Sequence, residues 1–456
     1  GAKRGARSAM LERDDLHSLL DKHGVSGVSI AVLCPDGSGD ASVSTQCAGI
    51  ADPNATPLFD STLLQIASLS KPIASTFAAG YFADAGVSLD TPVADALAAA
   101  NSPLRLRAAK GMPAEWAETV TLRQMMDHTG LGMHYANGVP RSDEFPPVLA
   151  LLSGSEEAPA PYGYASLAMT KAPGTRFGYS GGGFLVLQHL IECREGRPAA
   201  EVMEAFLRRC GTAVHLGLTF EHEPPPHKHV ACGFYDGQQP VPGGRKSFPP
   251  FAAGALGSAA GLADWLRVLA LAYHRPEGCG AISHAAARAV LTPSAAGDLG
   301  SDAFMGAAMG VGMFVFDSLG ADGRTSRWML HQAANDGFRG VLLVCFDGPD
   351  AAEGPRGFVI LANGDNAAVN LVSAVARRLL CAPRGPFARV ALDWSRVPDP
   401  DVPYLSRASS QEEIVNLGLK EQVLNAFVKP AAGPVLLPLP DVPPTKSAHD
   451  VDQGGA

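Results

Sequence analysis

Strand-type alternation marks both ends of this chain and helix-type patterning fills the stretch between, and that division constrains the fold more than any other feature. Near the N-terminus Val28, Ile30 and Val32 alternate with Ser29 and Ala31. Pro35-Asp36-Gly37-Ser38-Gly39 then breaks the run before Val43, Thr45 and Cys47 resume it. Successive side chains of a strand point to opposite faces, so two such runs across a short polar break predict an antiparallel hairpin. The strand signal returns after about residue 300, at 328–331, 341–346 and 358–362, with turns at Asn335-Asp336-Gly337 and Asn363-Gly364-Asp365 and a helix over about 371–380. Between these ends, 122–127, 184–193 and 262–272 read as helices, separated by Pro- and Gly-rich connections such as Pro224-Pro225-Pro226 and Pro242-Gly243-Gly244.

Strands must find partners for their backbone groups, so the two ends are expected to meet in one sheet. The predicted class is α/β (α+β): an antiparallel sheet built from both ends of the chain, flanked by helices, with an inserted mainly helical domain. Residues 1–90 and 290–395 would form the sheet domain and 91–289 the helical domain. Residues 396–456 read as a C-terminal extension, partly packed on the body and disordered at its end. Within it Ser410 and Glu413 make a capping box ahead of Ile414, Leu417, Leu424 and Phe427, which predicts one short helix.

A chain of 456 residues, 46% hydrophobic and 18% charged, can bury a large core. Its net charge of −9, without a Lys/Arg stripe interleaved with aromatics, argues against nucleic-acid binding and suits a small-molecule substrate. Eight cysteines are scattered with no close metal-type spacing, which argues against a zinc site. They read as unpaired thiols and favour a reducing compartment, cytoplasmic or organellar. No apolar run of about eighteen residues predicts a membrane span, and the first residues show no signal-peptide pattern. Oligomeric state is not legible.

Three short motifs carry candidate chemistry. In Ser68-Leu69-Ser70-Lys71, a serine and a lysine three apart at a helix start share one face, so the amine can reach the hydroxyl. The apolar helix that follows would bury the amine and lower its pKa. The plain alternative is a helix-capping serine beside a solvated lysine. Tyr179 stands on a glycine-rich loop, Phe177-Gly178-Tyr179-Ser180-Gly181-Gly182-Gly183, where a phenol could be held for proton transfer or could merely brace the loop. His331 ends a strand ahead of Gln332, Ala333, Ala334 and the Asp336-Gly337 turn, where it could line a cleft beside oxyanion-binding N–H groups or simply be structural.

These motifs, in this order and in this fold pattern, resemble the serine β-lactamase and penicillin-binding-protein superfamily. The likeness is to its class C-like branch of β-lactamases, family VIII esterases, D-aminopeptidases and acyltransferases, and it covers about residues 20–385. Further pieces support it: the stretch from Val120 to Leu131, containing His128-Thr129-Gly130-Leu131, and also Leu216-Gly217-Leu218-Thr219, Ala253-Gly254-Ala255-Leu256-Gly257-Ser258 and Val359-Ile360-Leu361-Ala362-Asn363-Gly364. The resemblance implies an acyl-enzyme formed on Ser68, with Lys71 and Tyr179 handling the proton. It implies an oxyanion hole made by the backbone N–H groups of Ser68 and Ala334, with His331 orienting the substrate. Gly181, Gln332 and Ala333 would also face the substrate, but they depart from the family pattern. Gly181 replaces the asparagine of Tyr-x-Asn, and His331-Gln332-Ala333 replaces Lys-Thr-Gly or His-x-Gly, so penicillin turnover is not expected. Gly130 also follows His128-Thr129 where the family usually has serine.

Two other clusters read as structural. His222, His227 and His229 fall in a proline-rich stretch expected to be a solvated loop, and Ser258 and Asp264 read as helix-start residues. The leading expectation is a serine hydrolase acting through an acyl-enzyme on an ester or amide of a small to medium substrate, as an esterase, amidase or acyltransferase without cofactor or metal. The alternative is a non-catalytic or weakly active scaffold or assembly protein, with the C-terminal extension as its interaction element. A true β-lactamase or D-amino-acid peptidase is a further one. A fold kept only for shape has no need of Ser68, Lys71 and Tyr179 together.

Overall fold

The computed structural model describes residues 10–131, 137–155, 158–224, 226–294, 307–320, 322–397 and 423–430. Its centre is a seven-stranded sheet in which every pairing is antiparallel. The strands are β1 (Gly27–Pro35), β2 (Ala41–Gly49), β3 (Ala308–Met309), β4 (Phe314–Leu319), β5 (Thr325–Asn335), β6 (Phe338–Asp347) and β7 (Arg356–Ala362). Their spatial order is β3-β4-β5-β6-β7-β1-β2. The two ends of the chain therefore join at one seam, where Val28 lies opposite Ala362 and Leu33 opposite Gly357.

The helices that matter to the site are α1 (Arg13–His23), α2 (Ser70–Asp84), α3 (Leu122–Met126), α4 (Gly182–Glu195), α5 (Ala199–Cys210), α6 (Ala259–His274) and α7 (Asn366–Cys381). Both sheet faces are covered. Val28, Ile30 and Val32 share one apolar layer with Leu16 and Leu20 of α1 and Leu371, Val375 and Leu379 of α7. Ala31 and Leu33, from the same strand, face the opposite layer, which contains Leu266 and Leu269 of α6. With helices on both sides, β7 is buried along its whole length, which is why it reads as an unbroken apolar run rather than an alternation.

Local chemistry sets the element ends. Ser258 caps α6, its Oγ accepting from Gly261 N at 3.1 Å, which is the helix-start role expected of it. Asp264, one turn in, instead pairs with Arg267 at 2.8 Å. Gly337, at φ 75°, turns the chain from β5 into β6 at the expected Asp336-Gly337 position. α7 begins at Asn366, some five residues earlier than its apolar pattern suggests, because its first turn is alanine-rich and carries no periodic signal.

The extension packs on the body where it is described. Phe427 lies 5.2 Å from the Phe316 ring and 5.0 Å from the Trp328 ring, and Leu319 N donates to Val428 O at 2.6 Å. The short helix expected from Ser410 and Glu413 lies outside the described residues. Among the described residues no helix is long and apolar enough to cross a membrane.

Candidate active site

Ser68 sits in a single 3-10 turn, Ala67–Leu69, that leads into α2 and packs against β5. The turn begins with a strained residue, since Ala67 has φ 47°, a region that costs a residue bearing Cβ about 1–3 kcal/mol unless its surroundings enforce it. Here they do. Ser70 Oγ donates to Ala67 O at 2.6 Å and accepts from Ala255 N at 3.2 Å, while Ile66 N donates to Ala255 O at 3.0 Å. The strain presents Ser68 half-exposed at the mouth of the helix while its neighbours on both sides are buried.

Lys71 follows one turn later and is buried, with 2% of its surface exposed. Its Nζ donates to Ala252 O at 2.6 Å and to Ser68 Oγ at 3.1 Å. The remaining surroundings are aromatic: the Tyr179 ring centroid is 4.8 Å away and that of Phe184 5.6 Å. Burial disfavours the ammonium and pulls the Lys71 pKa down to about 7. Lys71 is therefore not the solvated amine of the plain alternative.

The carbonyl that receives Lys71 belongs to a π-helical turn, Pro250–Gly254. Successive residues of this turn reach three neighbours. Phe251 N donates to Gln188 Oε1 of α4 at 3.3 Å, Ala252 O takes Lys71, and Ala253 O accepts from Asn335 Nδ2 of β5 at 2.9 Å. Wide turns of this kind recur at functional sites because they turn carbonyls away from the helical ladder.

Tyr179 lies half-buried on the loop before α4, and a histidine frames that loop. His128 is fully buried, with φ 64°, and its ring stacks on Tyr179 at 4.3 Å between centroids. Ser180 N donates to His128 Nδ1 at 3.0 Å and Gly178 N donates to His128 O at 2.9 Å, so both neighbours of Tyr179 are tied to one residue. Burial first, then the nearby Lys71 and His331, hold His128 well below the ordinary imidazole range, so it is neutral, with the proton assigned to Nε2 by the Ser180 bond. Gly181 is buried as the N-cap of α4, its carbonyl accepting from Phe184 N and Leu185 N at 3.0 and 3.1 Å. At Gly183 a Cβ would fall 2.4 Å from Met125 O, so only glycine lets α4 start this close to α3.

His331 is buried on β5, its ring 6.3 Å from that of Tyr179 and 5.5 Å from that of Phe314, and Gln332 N donates to its Nδ1 at 2.9 Å. The pairing of β4 with β5 ends at Phe314 and Leu330, so β5 runs on past β4 from His331 to Asn335. On this stretch Gln332 and Ala334 are half-exposed and Ala333 is buried, and Ala334 sits opposite Arg339 of β6. The fold thus gathers Ser68, Lys71, Tyr179 and His331 into one region, with Gln332, Ala333 and Ala334 continuing β5 from His331 and Gly181 buried at the start of α4.

The histidine-rich stretch differs from its expectation. His222 is half-buried, its ring 4.2 Å from that of Phe145, and burial with Arg245 and Arg141 nearby lowers its pKa to about 4. His229 Nδ1 lies 3.3 Å from Thr62 Oγ1, and only His227 is exposed as expected of a solvated loop. Among the described residues no three His, Cys, Asp or Glu side chains are grouped so as to hold a metal ion.

With this arrangement in view, the chain belongs to the beta-lactamase family, whose model matches residues 13–381. That family, a serine hydrolase fold class, is matched among solved structures as well. SurE crystallised with D-Leu shares 20% identity over 83% of this chain and 76% of its own, at a TM-score of 0.56. The octameric penicillin-binding protein homologue from Pyrococcus abyssi shares 18% over 83% and 79%, at 0.56. The D-alanine carboxypeptidase AmpC from Burkholderia cenocepacia shares 17% over 80% and 99%, also at 0.56. The comparison with curated proteins returned no match.

The sequence reading passed over two parts of the site. His128 was legible only as part of a family landmark, and its role in holding the Tyr179 loop depends on a backbone conformation that residue type does not reveal. The Pro250–Gly254 turn acts through carbonyls, which leave no side-chain signature.

Proposed function

We propose that this protein is a serine hydrolase that forms an acyl-enzyme on Ser68 from an ester or amide of a small to medium substrate. The observation that carries this reading is the Lys71 amine, buried, with a pKa near 7 and 3.1 Å from Ser68 Oγ. A neutral amine has two N–H donors and one lone pair. Once the amine has lost its proton, one N–H stays on Ala252 O and the contact with Ser68 reverses, the lone pair accepting from the hydroxyl and taking its proton as the oxygen attacks the carbonyl. Tyr179, held by His128 with its ring centroid 4.8 Å from the amine, would support return of that proton to the leaving group. The N–H groups of Ser68 and Ala334 would hold the oxyanion, with His331 and Gln332 flanking the acyl group.

The substrate preference follows from what is missing. A β-lactam needs its amide and carboxylate gripped, and Gly181 offers no side-chain amide where a Tyr-x-Asn loop would. Gln332 and Ala333 replace the polar surface of Lys-Thr-Gly. Activated esters should therefore be turned over better than cephalosporins, by roughly ten- to a hundredfold in kcat/KM if one buried hydrogen bond of about 1–3 kcal/mol is lost.

A fluorophosphonate probe read by intact mass tests the reaction itself. One adduct per chain is expected, localised to Ser68 and absent in Ser68→Ala, whose melting temperature should match the wild type. Labelling of Ser68→Ala at the wild-type rate would refute the assignment. A higher kcat/KM for a chromogenic cephalosporin than for a p-nitrophenyl short-chain ester would overturn the preference while leaving the nucleophile in place.

A further inference from the structure

The turn that receives Lys71 is tied to α4 by a side chain that no family motif contains. Within Pro250–Gly254 the N–H groups of Ala252, Ala253 and Gly254 all converge on Pro249 O, at 3.1, 2.9 and 3.0 Å. Phe251 N–H lies ahead of these bonds and donates instead to Gln188 Oε1 at 3.3 Å. Gln188 is buried, with 3% of its surface exposed. The Phe251 ring is fully buried too, in edge-to-face contact with Phe77 of α2 at 6.3 Å and with Phe220 at 5.9 Å. Phe251 therefore cannot turn its N–H to another acceptor without breaking that packing.

A glutamine amide has a donor at one end and an acceptor at the other, so it serves Phe251 N–H in only one of its two orientations. Glu192, one turn further along α4, selects that orientation. Its Oε1 accepts from Gln188 Nε2 at 2.9 Å and from the N–H of Ala199, the first residue of α5, at 3.2 Å. An oxygen that receives two N–H groups is an acceptor whether or not the acid is ionised, so Nε2 faces Glu192 and Gln188 Oε1 is left for the turn. The Ala199 bond in turn keeps the Glu192 carboxyl group in place.

We infer that Gln188, oriented by Glu192, is a positioning residue for acyl-enzyme formation: with Asn335 it fixes the Ala252 carbonyl that holds Lys71 within reach of Ser68. This rests on the reading of Ser68 and Lys71 given above. The two amides grip the turn on either side of that carbonyl, Gln188 through Phe251 N and Asn335 through Ala253 O. Ala252 O lies 2.6 Å from Lys71 Nζ, closer than Ser68 Oγ at 3.1 Å. A displaced carbonyl therefore draws the amine off Ser68, and it also removes an acceptor that favours the ammonium. Loss of Gln188 should both slow acylation and make Lys71 easier to deprotonate.

Gln188→Met keeps the bulk of the side chain and removes both of its hydrogen bonds. Two readouts test it in the full chain: the rate of Ser68 labelling by a fluorophosphonate, and the titration of Lys71 followed by NMR of protein carrying 13Cε-lysine, its signal assigned from Lys71→Met. Labelling should fall about tenfold, and the Lys71 midpoint should move to lower pH. Glu192→Leu, which leaves Gln188 in place but frees its amide to turn, should slow labelling several-fold. Glu192→Gln, which keeps an acceptor for both N–H groups, should recover most of that loss. Being half-buried, Glu192 keeps the test decisive should Gln188→Met melt too low to assay. A lowered melting temperature with labelling rate and Lys71 midpoint both unmoved would make Gln188 structural only and overturn the inference. So would a Glu192→Gln variant as slow as Glu192→Leu. An unlabelled wild type refutes the acyl-enzyme reading and this inference with it, whereas a labelled wild type matched by Gln188→Met refutes this inference alone.

Discussion

At the scale of single residues, Lys71 carries two separable consequences. The first is kinetic. If the neutral amine is the base, kcat/KM for an activated ester should rise with pH through an inflection near 7 and then level off, because the amine is already deprotonated above that pH. Lys71→Arg, whose guanidinium cannot deprotonate, should lose about 10²- to 10⁴-fold. Activity climbing steadily to about pH 10 would mean that the amine titrates as in water. The second is thermodynamic. An unfolded lysine holds its proton up to about 10.4, while in the folded protein Lys71 releases it near 7. Between those values the unfolded chain binds more protons, so the stability this group permits is complete above about pH 10 and is lost as pH falls towards 7. Lys71→Met keeps the bulk and removes the charge. Its stability relative to wild type should therefore be greatest near pH 6, by at most about 5 kcal/mol, and should shrink by pH 9.5. Urea melts at the two pH values measure this, and a pH-independent difference would show that the folded and unfolded lysine titrate alike.

At the scale of elements, the Pro250–Gly254 turn joins the helical layer to the sheet at the point where chemistry would occur. Asn335→Ala removes the donor to Ala253 O and leaves a buried carbonyl unpaired, which should cost about 1–3 kcal/mol. Because the next carbonyl back holds Lys71, the variant should also shift the inflection of the pH–rate profile. A lowered melting temperature with an unmoved inflection would show that the turn is rigid without its tie to β5. Elements of this kind explain what the sequence could and could not disclose. The β1–β2 and β5–β6 hairpins were legible because local alternation and a Pro/Gly or Asp-Gly break suffice to specify them. Ser68 was legible as a residue just ahead of a helix because Pro72 fits only near a helix start. Pro249 to Gly254 has no period to read, and its carbonyls acquire meaning only when α2, α4 and β5 converge on them. His222 looked like a solvated loop residue among prolines, yet Phe145, distant in sequence, stacks on it and withdraws it from water.

At the scale of the whole molecule, a sheet closed by both ends of the chain ties the site to segments far from it. His331 stands one residue beyond the last β4–β5 pair, so the outer edge of the sheet helps fix where that imidazole lies. The edge is backed by Leu424 and Phe427, which share an apolar layer with α1, α7 and the β4–β5 residues Phe316 and Trp328. Backbone bonds hold the segment: Leu319 N to Val428 O at 2.6 Å, Asp393 N to Ala426 O at 2.7 Å and Val428 N to Ala391 O at 3.5 Å. The described part of the C-terminal extension therefore acts as a buried strap across the sheet, whatever the rest of that extension does. Phe427→Ala empties the contact with Phe316 and Trp328 and should cost about 3–5 kcal/mol, the range for removing a buried aromatic ring. Where the variant is still folded, ester turnover should change less than threefold, because β6 continues to hold His331 and Ala334 from the other side. Urea midpoints and kcat/KM measured on the same preparation separate these effects. Unchanged stability would show that the strap adds nothing to the core, and a large loss of turnover in the folded variant would show that it positions the site directly.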